Sequence, residues 1–550
     1  MGEMDPTEEP ATTVGEDTEI KFSAVDYTLF ILMLVASISI GVISAIRNRN
    51  KVSTQEYLMG GRNMPAAPVA LSLLGGRISA ISILGNPTEI YFFGTQIAMI
   101  LLGAIPGCFF VSIVIIPILY NLRIVSINEY IELRFESRLL RTLATLCTLL
   151  SSFIYMGICL YAPTLALSTV TGLATWVSTL IMGTICTFYI TIAVVYTDVL
   201  QTLLMFGGVL VVVILCCIDL GGVDKVWAIA DRGGRIQFFN LDTSPFERHT
   251  LMSTVVFGYY LIVSSIGFNQ TTFQRLASVR TLQTSQSLFY FSGLVAYATY
   301  SDCDPLTTGK IEKPDQIIPF LVTDKLSHLP GLAGIFVAAV YGGVLSTLSS
   351  CGNSFACVVW EDFLKERPYF SRLGDVGATN VVKILSVMAG VAAICMGLMV
   401  EKLGSIFHVS NSILSAVGGP LNGLFFTGVC APWVNAKGAV VGFVLSFIFS
   451  VWVVIGKFVR GGGSPPRLPL STEGCPENLA LFLNATVTGL VNNTTRLADT
   501  MLTTTALPDA VPANTTAVDG SVPPNSNWFY FTCQAVCLMF WSIYYICFTI

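Results

Sequence analysis

Ser346, Thr347, Ser349, Ser350 and Asn353 crowd into 342–353, a segment inside an otherwise apolar run. One or two hydroxyls there could bond back to carbonyls one turn earlier at little cost. Five polar side chains together fit a lined cavity or a hard-cation site better, where protein oxygens replace hydration. A second stretch, Ser72 to Pro87, contains Gly75, Gly76 and Pro87, all of which weaken a helix. Discontinuous helices expose carbonyls and helix ends in mid-membrane, which is how carriers build ion and solute sites. A continuous but flexible helix is the plainer alternative, since Gly is common in membrane helices.

Arg77 lies inside the second stretch, near the centre of an apolar span. A charge there costs at least about 2.5–3.5 kcal/mol, so it needs a partner or water. Asp198, near the start of another apolar run, is the acidic residue of suitable type. Enzyme chemistry has little to work with. The 3 histidines, His249, His328 and His408, lack metal-ligand spacing, and no glycine-rich phosphate loop or nucleophile–base arrangement emerges.

These residues need elements to hold them, and composition says which kind. Of 550 residues, 53% are hydrophobic and 11% charged. Soluble domains carry about 25% charged residues, so most of this chain must face lipid. A net charge of −5 offers no basic footprint for nucleic acid.

About 20 apolar residues span a bilayer as a helix. The runs predict an all-α membrane protein of about thirteen passes, near 24–46, 66–92, 95–120, 141–168, 171–194, 196–218, 250–270, 287–300, 331–358, 382–400, 405–431, 437–458 and 529–550. The run 287–300 is too short to span, and no polar turn separates the two runs that meet between Tyr189 and Asp198. An acidic stretch, residues 1–23, precedes the first run, and Arg47, Arg49, Lys51 and Arg62 follow it. That asymmetry predicts an extracellular N-terminal tail, and an odd number of passes then leaves the C-terminus cytoplasmic.

Residues 24–458 form the expected transporter core, 459–528 an outer loop, and 529–550 a last pass. The outer loop holds glycosylation sequons at Asn484, Asn492, Asn493 and Asn514, usable only on the lumenal or extracellular side. Asn269 also begins a sequon, but falls at a cytoplasmic helix end. Of 15 cysteines, Cys147, Cys159, Cys186, Cys216 and Cys217 read as small buried hydrophobes. Cys303 and Cys475 fall in polar outer segments and could pair, though sequence alone leaves connectivity open.

The chain resembles the sodium/solute symporter family, and most of all its anion-carrying branch of multivitamin, monocarboxylate and iodide symporters. The resemblance rests on Glu129–Phe135, Tyr196–Gln201, Asn269-Gln270 with Gln274-Arg275, Asp302–Gly309 leading to Asp315-Gln316, and Leu345–Ser350. Gly419-Pro420 with Gly423, and Pro432 with Asn435 and Gly438, complete the series. It covers about residues 25 to 460. Each motif is weak alone; their order and spacing are specific, and Asp302-Cys-Asp-Pro-Leu306 points to the anion branch.

The resemblance implies two inverted five-helix repeats, the second to sixth and seventh to eleventh passes. It implies a plasma-membrane symporter that needs no cofactor, with Na⁺ and a small organic anion, a vitamin or a monocarboxylate, as its partners. Its sodium ligands would be carbonyls of Gly75, Ile78 and Gly343 and hydroxyls of Ser346 and Thr347. By position, Arg77, Phe257, Tyr259, Tyr260, Ser412 and Ser415 would line the solute path. Arg77 departs from the family's small or amide residues. At 4 Å and an effective dielectric of 20, a guanidinium repels a cation by about 4 kcal/mol. Arg77 therefore either weakens or replaces sodium coupling, or attracts the anion. The short run at 287–300 and a missing Gly-Gly turn before Tyr196 leave two alternatives to symport: a carrier with weak or no sodium coupling, and a transport-inactive sensor.

Overall fold

A computed structural model describes residues 22–47, 72, 75–76, 79–122, 124–190, 195–242, 249–273, 282–326, 328–401, 406–459 and 467–475. Among them there are helices and loops and no β-strand. Seven helices are long and apolar enough to cross a membrane, and three shorter apolar ones accompany them. The expected last pass at 529–550, the sequons at Asn484, Asn492, Asn493 and Asn514, and the residues Arg77 and Ile78 lie outside the described residues.

The first pass is α1 (Ala24–Arg47). The second resumes after its break as α2 (Ala80–Phe93). The third runs through a 3₁₀ turn at Thr95–Met99, α3 (Ile100–Phe110), a π segment at Val111–Ile115 and α4 (Ile116–Leu122). A loop helix α5 (Glu129–Phe135) leads to α6 (Arg138–Thr171), α7 (Thr175–Ile190) and α8 (Val195–Asp219). The amphipathic α9 (Val223–Arg232) follows. The seventh pass is α10 (Leu251–Ile262) with a π segment at Val263–Gly267, followed by the short α11 (Gln270–Phe273). Next come α12 (Leu282–Thr299) and α13 (Ile317–Lys325). The series ends with α14 (Leu332–Val359), extended by a π segment at Trp360–Leu364, then α15 (Asp375–Val400), α16 (Ile406–Cys430) and α17 (Ala436–Val459).

Two expectations need correction. The eighth pass is not the fourteen-residue fragment that its apolar run suggests. Its helix starts at Leu282 and has 18 residues, because Gln283, Thr284, Ser285 and Gln286 continue the helical backbone. That gives a length of roughly 27 Å at 1.5 Å per residue. The tenth pass likewise starts at Asp375, seven residues before its apolar run. Hydropathy reads side chains, whereas a helix end is set by backbone hydrogen bonding and caps.

The bundle is organised around α14. It packs against α1, α6, α8 and α15. Its most apolar window is 89% buried by protein, against 33–50% for the other six long spans. Close crossings elsewhere depend on glycine. A Cβ at Gly103 or Gly258 would strike the backbone of Val255 or of Ile100 respectively, so α3 and α10 meet through their main chains.

Loop segments lock together at the end of α2. Cys303 and Cys475 form a disulfide with their Cα atoms 5.0 Å apart, resolving the pairing that sequence left open. The linked segment 467–475 lies on the end of α2, with Leu468 N donating to Phe92 O (3.0 Å) and Gly474 N to Asp302 O (2.9 Å). Arg235 is fully buried there. It donates to the carbonyls of Tyr91, Gly233 and Pro469 and lies 4.1 Å from the Tyr297 ring centroid. Burial pushes its pKa below the usual range. Gly94 permits this approach: its φ is +83°, and a Cβ would lie 2.9 Å from Arg235 O.

Candidate functional site

The second pass is broken just after its glycines, at Ser79. Ser79 is extended (φ −89°, ψ 174°) and caps α2, its side chain accepting from Ile81 N. The break lies at Ser79 rather than at Pro87, which sits inside α2 while the helix continues to Phe93. Proline is tolerated in membrane helices where neighbours re-satisfy the freed groups.

Gly75 faces the hydroxyls of two other passes. A Cβ on it would overlap Thr202 Oγ1 of α8 and lie 3.3 Å from Ser346 Oγ of α14. Ser72 Oγ donates to Asp198 Oδ2 (2.6 Å), and Thr202 Oγ1 donates to the Asp198 carbonyl (2.6 Å). The broken pass is thus held against α8 by the Ser72–Asp198 hydrogen bond and approaches α14 through the missing side chain of a glycine.

The five polar residues of α14 divide into two kinds. Ser349 and Ser350 bond back to Ser346 O at 3.0 and 2.7 Å, the ordinary fate of a membrane-helix hydroxyl. Ser346 Oγ and Thr347 Oγ1 are fully buried and have no hydrogen-bond partner among the described residues. Each such buried hydroxyl costs about 1–3 kcal/mol. Two neighbouring ones, of which Ser346 approaches Gly75 of the broken pass, are an acceptor pair suited to a hard cation. Asn353 is half-buried, and its Oδ1 is also without a partner. Among the described residues no group of three His, Cys, Asp or Glu side chains could hold a metal ion.

Of the expected solute-path residues, Phe257, Tyr259 and Tyr260 are half-buried on α10 and Ser415 on α16. They do not act alike. Tyr259 packs on Phe110 of α3, with ring centroids 6.0 Å apart. Tyr260 turns toward α16, where Asn422 Nδ2 donates to its hydroxyl at 2.9 Å. The side chain of Ser412 lies outside the described residues.

A second cluster of side chains gathers beside α5. Phe425 is sandwiched between Phe268, centroids 5.3 Å apart, and Tyr130 at 6.4 Å. Burial pushes the Tyr130 hydroxyl up to about 12. Asp362, in the π segment after α14, joins that segment to α6 and to the loop before α5. It accepts from Arg141 Nη2 (2.7 Å), Thr145 Oγ1 (2.8 Å), Ser126 Oγ (3.1 Å) and Asn128 Nδ2 (3.3 Å). Arg141 also pairs with Glu132 of α5 at 2.7 Å.

A broken helix beside buried hydroxyls that lack a partner among the described residues is geometry suited to a carrier's ion site. Residues 57–446 match the profile of the sodium:solute symporter family. The chain belongs to the sodium:solute symporter family.

Sodium-coupled monocarboxylate transporter 2 of Danio rerio is 38% identical over 505 residues, covering 88% of this chain and 81% of that protein. Sodium-coupled monocarboxylate transporter 1 of Homo sapiens is 38% identical over 473 residues, covering 82% and 77%. The sodium-dependent multivitamin transporter of Oryctolagus cuniculus is 38% identical over 515 residues, covering 89% and 79%. A solved Na⁺-coupled sialic acid symporter in a substrate-bound outward-open state has the same fold, with TM-score 0.66, 22% identity, and coverage of 82% of this chain and 100% of that one. The chain is accordingly a membrane transporter and not an enzyme, and its family couples solute movement to Na⁺.

Several contributors escaped sequence reasoning. Thr202 lies one helical turn beyond Asp198, just outside the recognised Tyr196–Gln201 motif. Asn422 lies inside the Gly419–Gly423 motif, where its polarity amid apolar neighbours was an available signal. The pairing of His249 Nε2 with Glu89 Oε1 (2.7 Å), which joins α2 to the start of α10, spans 160 residues and left no local trace.

Proposed function

We propose that this chain is a plasma-membrane symporter that uses the inward Na⁺ gradient to import a small organic anion, a monocarboxylate or a vitamin carboxylate. The buried hydroxyls of Ser346 and Thr347, without a hydrogen-bond partner among the described residues, and the close approach of Gly75 to Ser346 Oγ carry the reading. Na⁺ sits between the broken second pass and α14, bound by those hydroxyls and by the carbonyls of Gly75, Ile78 and Gly343. The solute class follows from the names of the relatives at 38% identity. The passes form two inverted five-helix repeats within about thirteen spans, so that the ion and solute sites lie where the repeats meet. The N-terminus and the 459–528 loop are extracellular, the loop glycosylated at Asn484, Asn492, Asn493 and Asn514, and the C-terminus is cytoplasmic.

Arg77 adjoins Ile78 in sequence, and this supports a second reading, in which its guanidinium weakens or replaces Na⁺ coupling. The test is uptake of labelled lactate, biotin, pantothenate and iodide in Na⁺ and in choline buffer, with and without Arg77→Gln. Uptake of an organic anion that needs Na⁺ is expected. Uptake that is equal in choline rejects coupling, and absence of all uptake at normal surface expression rejects transport. Na⁺-dependent uptake that Arg77→Gln leaves unchanged rejects the second reading.

A further inference from the structure

The helix α9 (Val223–Arg232) is too short to cross a bilayer, yet it carries more apolar surface than its protein contacts use. Val226 and Ala230, one turn apart, are buried, and α9 packs against α12. Val223 and Trp227, also one turn apart, flank that strip and stay 53% and 43% exposed. Asp224, Lys225, Asp231 and Arg232 are exposed and occupy the remaining, polar surface. The irregular stretch after α9 repeats the pattern. Phe239 and Leu241 are 69% and 73% exposed, whereas Phe238 and Asn240 are half-buried. That alternation puts Phe239 and Leu241 on one side of the chain. Phe238 stacks on Trp227, with ring centroids 6.2 Å apart, so the helix and the stretch are neighbours.

The span before α9 fixes its level. On α8 the exposed Leu210, Ile214 and Ile218 follow one another at four-residue steps, a row facing lipid. Val223 comes only five residues after Ile218. Gly221 and Gly222, at φ +88° and +116°, turn the chain between them. The helix α9 therefore begins where α8 leaves the hydrocarbon, and its exposed apolar flank continues the lipid-facing row. An amphipathic helix at that level, with a charged face and an exposed tryptophan, suits the boundary between head groups and acyl chains. An indole there buries its ring and keeps its N–H among polar groups.

We propose that α9 and the stretch after it dock on the bilayer interface, with Val223, Trp227, Phe239 and Leu241 as the inserted side chains. The docked segment also carries a load. Thr95 N donates to Arg235 O (2.8 Å) and Asn240 N to Gln96 Oε1 (2.9 Å), so the same segment holds the turn between the second and third passes. The bilayer thereby steadies one end of the pass that is broken at Ser79.

The test uses the full-length protein in nanodiscs of phosphatidylcholine, either unmodified, brominated on the acyl chain near the head group, or brominated near the bilayer centre. Bromine quenches tryptophan that it touches. The chain has 7 tryptophans, so the contribution of Trp227 is the difference between wild type and Trp227→Phe. Phe239→Trp in the Trp227→Phe background supplies a second reporter. Lipid brominated near the head group is expected to quench both contributions about twofold or more, and more strongly than lipid brominated near the centre, as interfacial depth requires. Acrylamide in the water should quench them weakly.

No quenching by either lipid, with strong quenching by acrylamide, would place the segment in water and overturn the proposal. Protection from both lipid and acrylamide would overturn it in favour of a protein partner, such as a second copy of this chain. Stronger quenching from the bilayer centre would overturn the interfacial placement. Should Trp227→Phe fail to fold, Phe239→Trp in the otherwise wild-type chain decides by the same criteria.

Discussion

Thr347→Val is the most direct test of the ion site. Valine keeps the shape of threonine and removes only the hydroxyl. In this structure that hydroxyl is buried and unpartnered among the described residues. Losing it should therefore not destabilise the sodium-free protein, and should relieve it of about 1–3 kcal/mol of unsatisfied burial. With Na⁺ present the balance reverses. An oxygen that faces a charge contributes about 1.5–3 kcal/mol, and each 1.4 kcal/mol is tenfold in affinity. The Na⁺ concentration for half-maximal uptake should rise about 10- to 100-fold.

Two assays read the two halves of this prediction. Thermal unfolding in choline buffer should give a midpoint equal to or above wild type, and Na⁺ titration of uptake should give the shifted half-saturation. Thr254→Val is the control, since Thr254 is buried but already bonds to Thr250 O at 2.9 Å. It should lose stability slightly and leave the Na⁺ dependence alone. An unchanged half-saturation in Thr347→Val, or a clear loss of stability without Na⁺, would refute the reasoning.

Three further substitutions test the scaffold. Asp362→Ala removes four hydrogen bonds from a nearly inaccessible carboxylate and should cost about 3–5 kcal/mol, read as a lower unfolding midpoint; a loss below about 1 kcal/mol would contradict its role in joining the segment after α14 to α6. Cys475→Ser opens the Cys303–Cys475 disulfide, whose loss should cost about 2–4 kcal/mol and leave the Na⁺ half-saturation near wild type, and reductant should lower the midpoint of wild type but not of the variant. Gly258→Ala forces a methyl into the Ile100 backbone and should cost about 1–3 kcal/mol, visible as reduced surface expression and an earlier unfolding transition.

How much of the site could be read in advance differs between its parts. The break in the second pass was legible because glycine weakens a helix wherever it occurs, a local property. Its position was not: Ser79 rather than Pro87 marks the break, since a cap depends on which hydroxyl meets which free N–H. The polar run on α14 was legible as unusual. Which of its hydroxyls matter was not, because back-bonding and isolation differ only in three-dimensional surroundings.

By itself the sequence determined that this chain lives in a membrane, roughly where its helices run, and which family its motifs belong to. Those are consequences of composition and short-range order, which a bilayer reads residue by residue. Tertiary structure alone decided that α14 stands at the centre of the bundle, that Gly75 meets Thr202 and Ser346, and that Asn422 reaches Tyr260 and Ser264. Each of these joins residues more than a hundred positions apart. Such meetings depend on helix packing, and no local pattern in the chain encodes them.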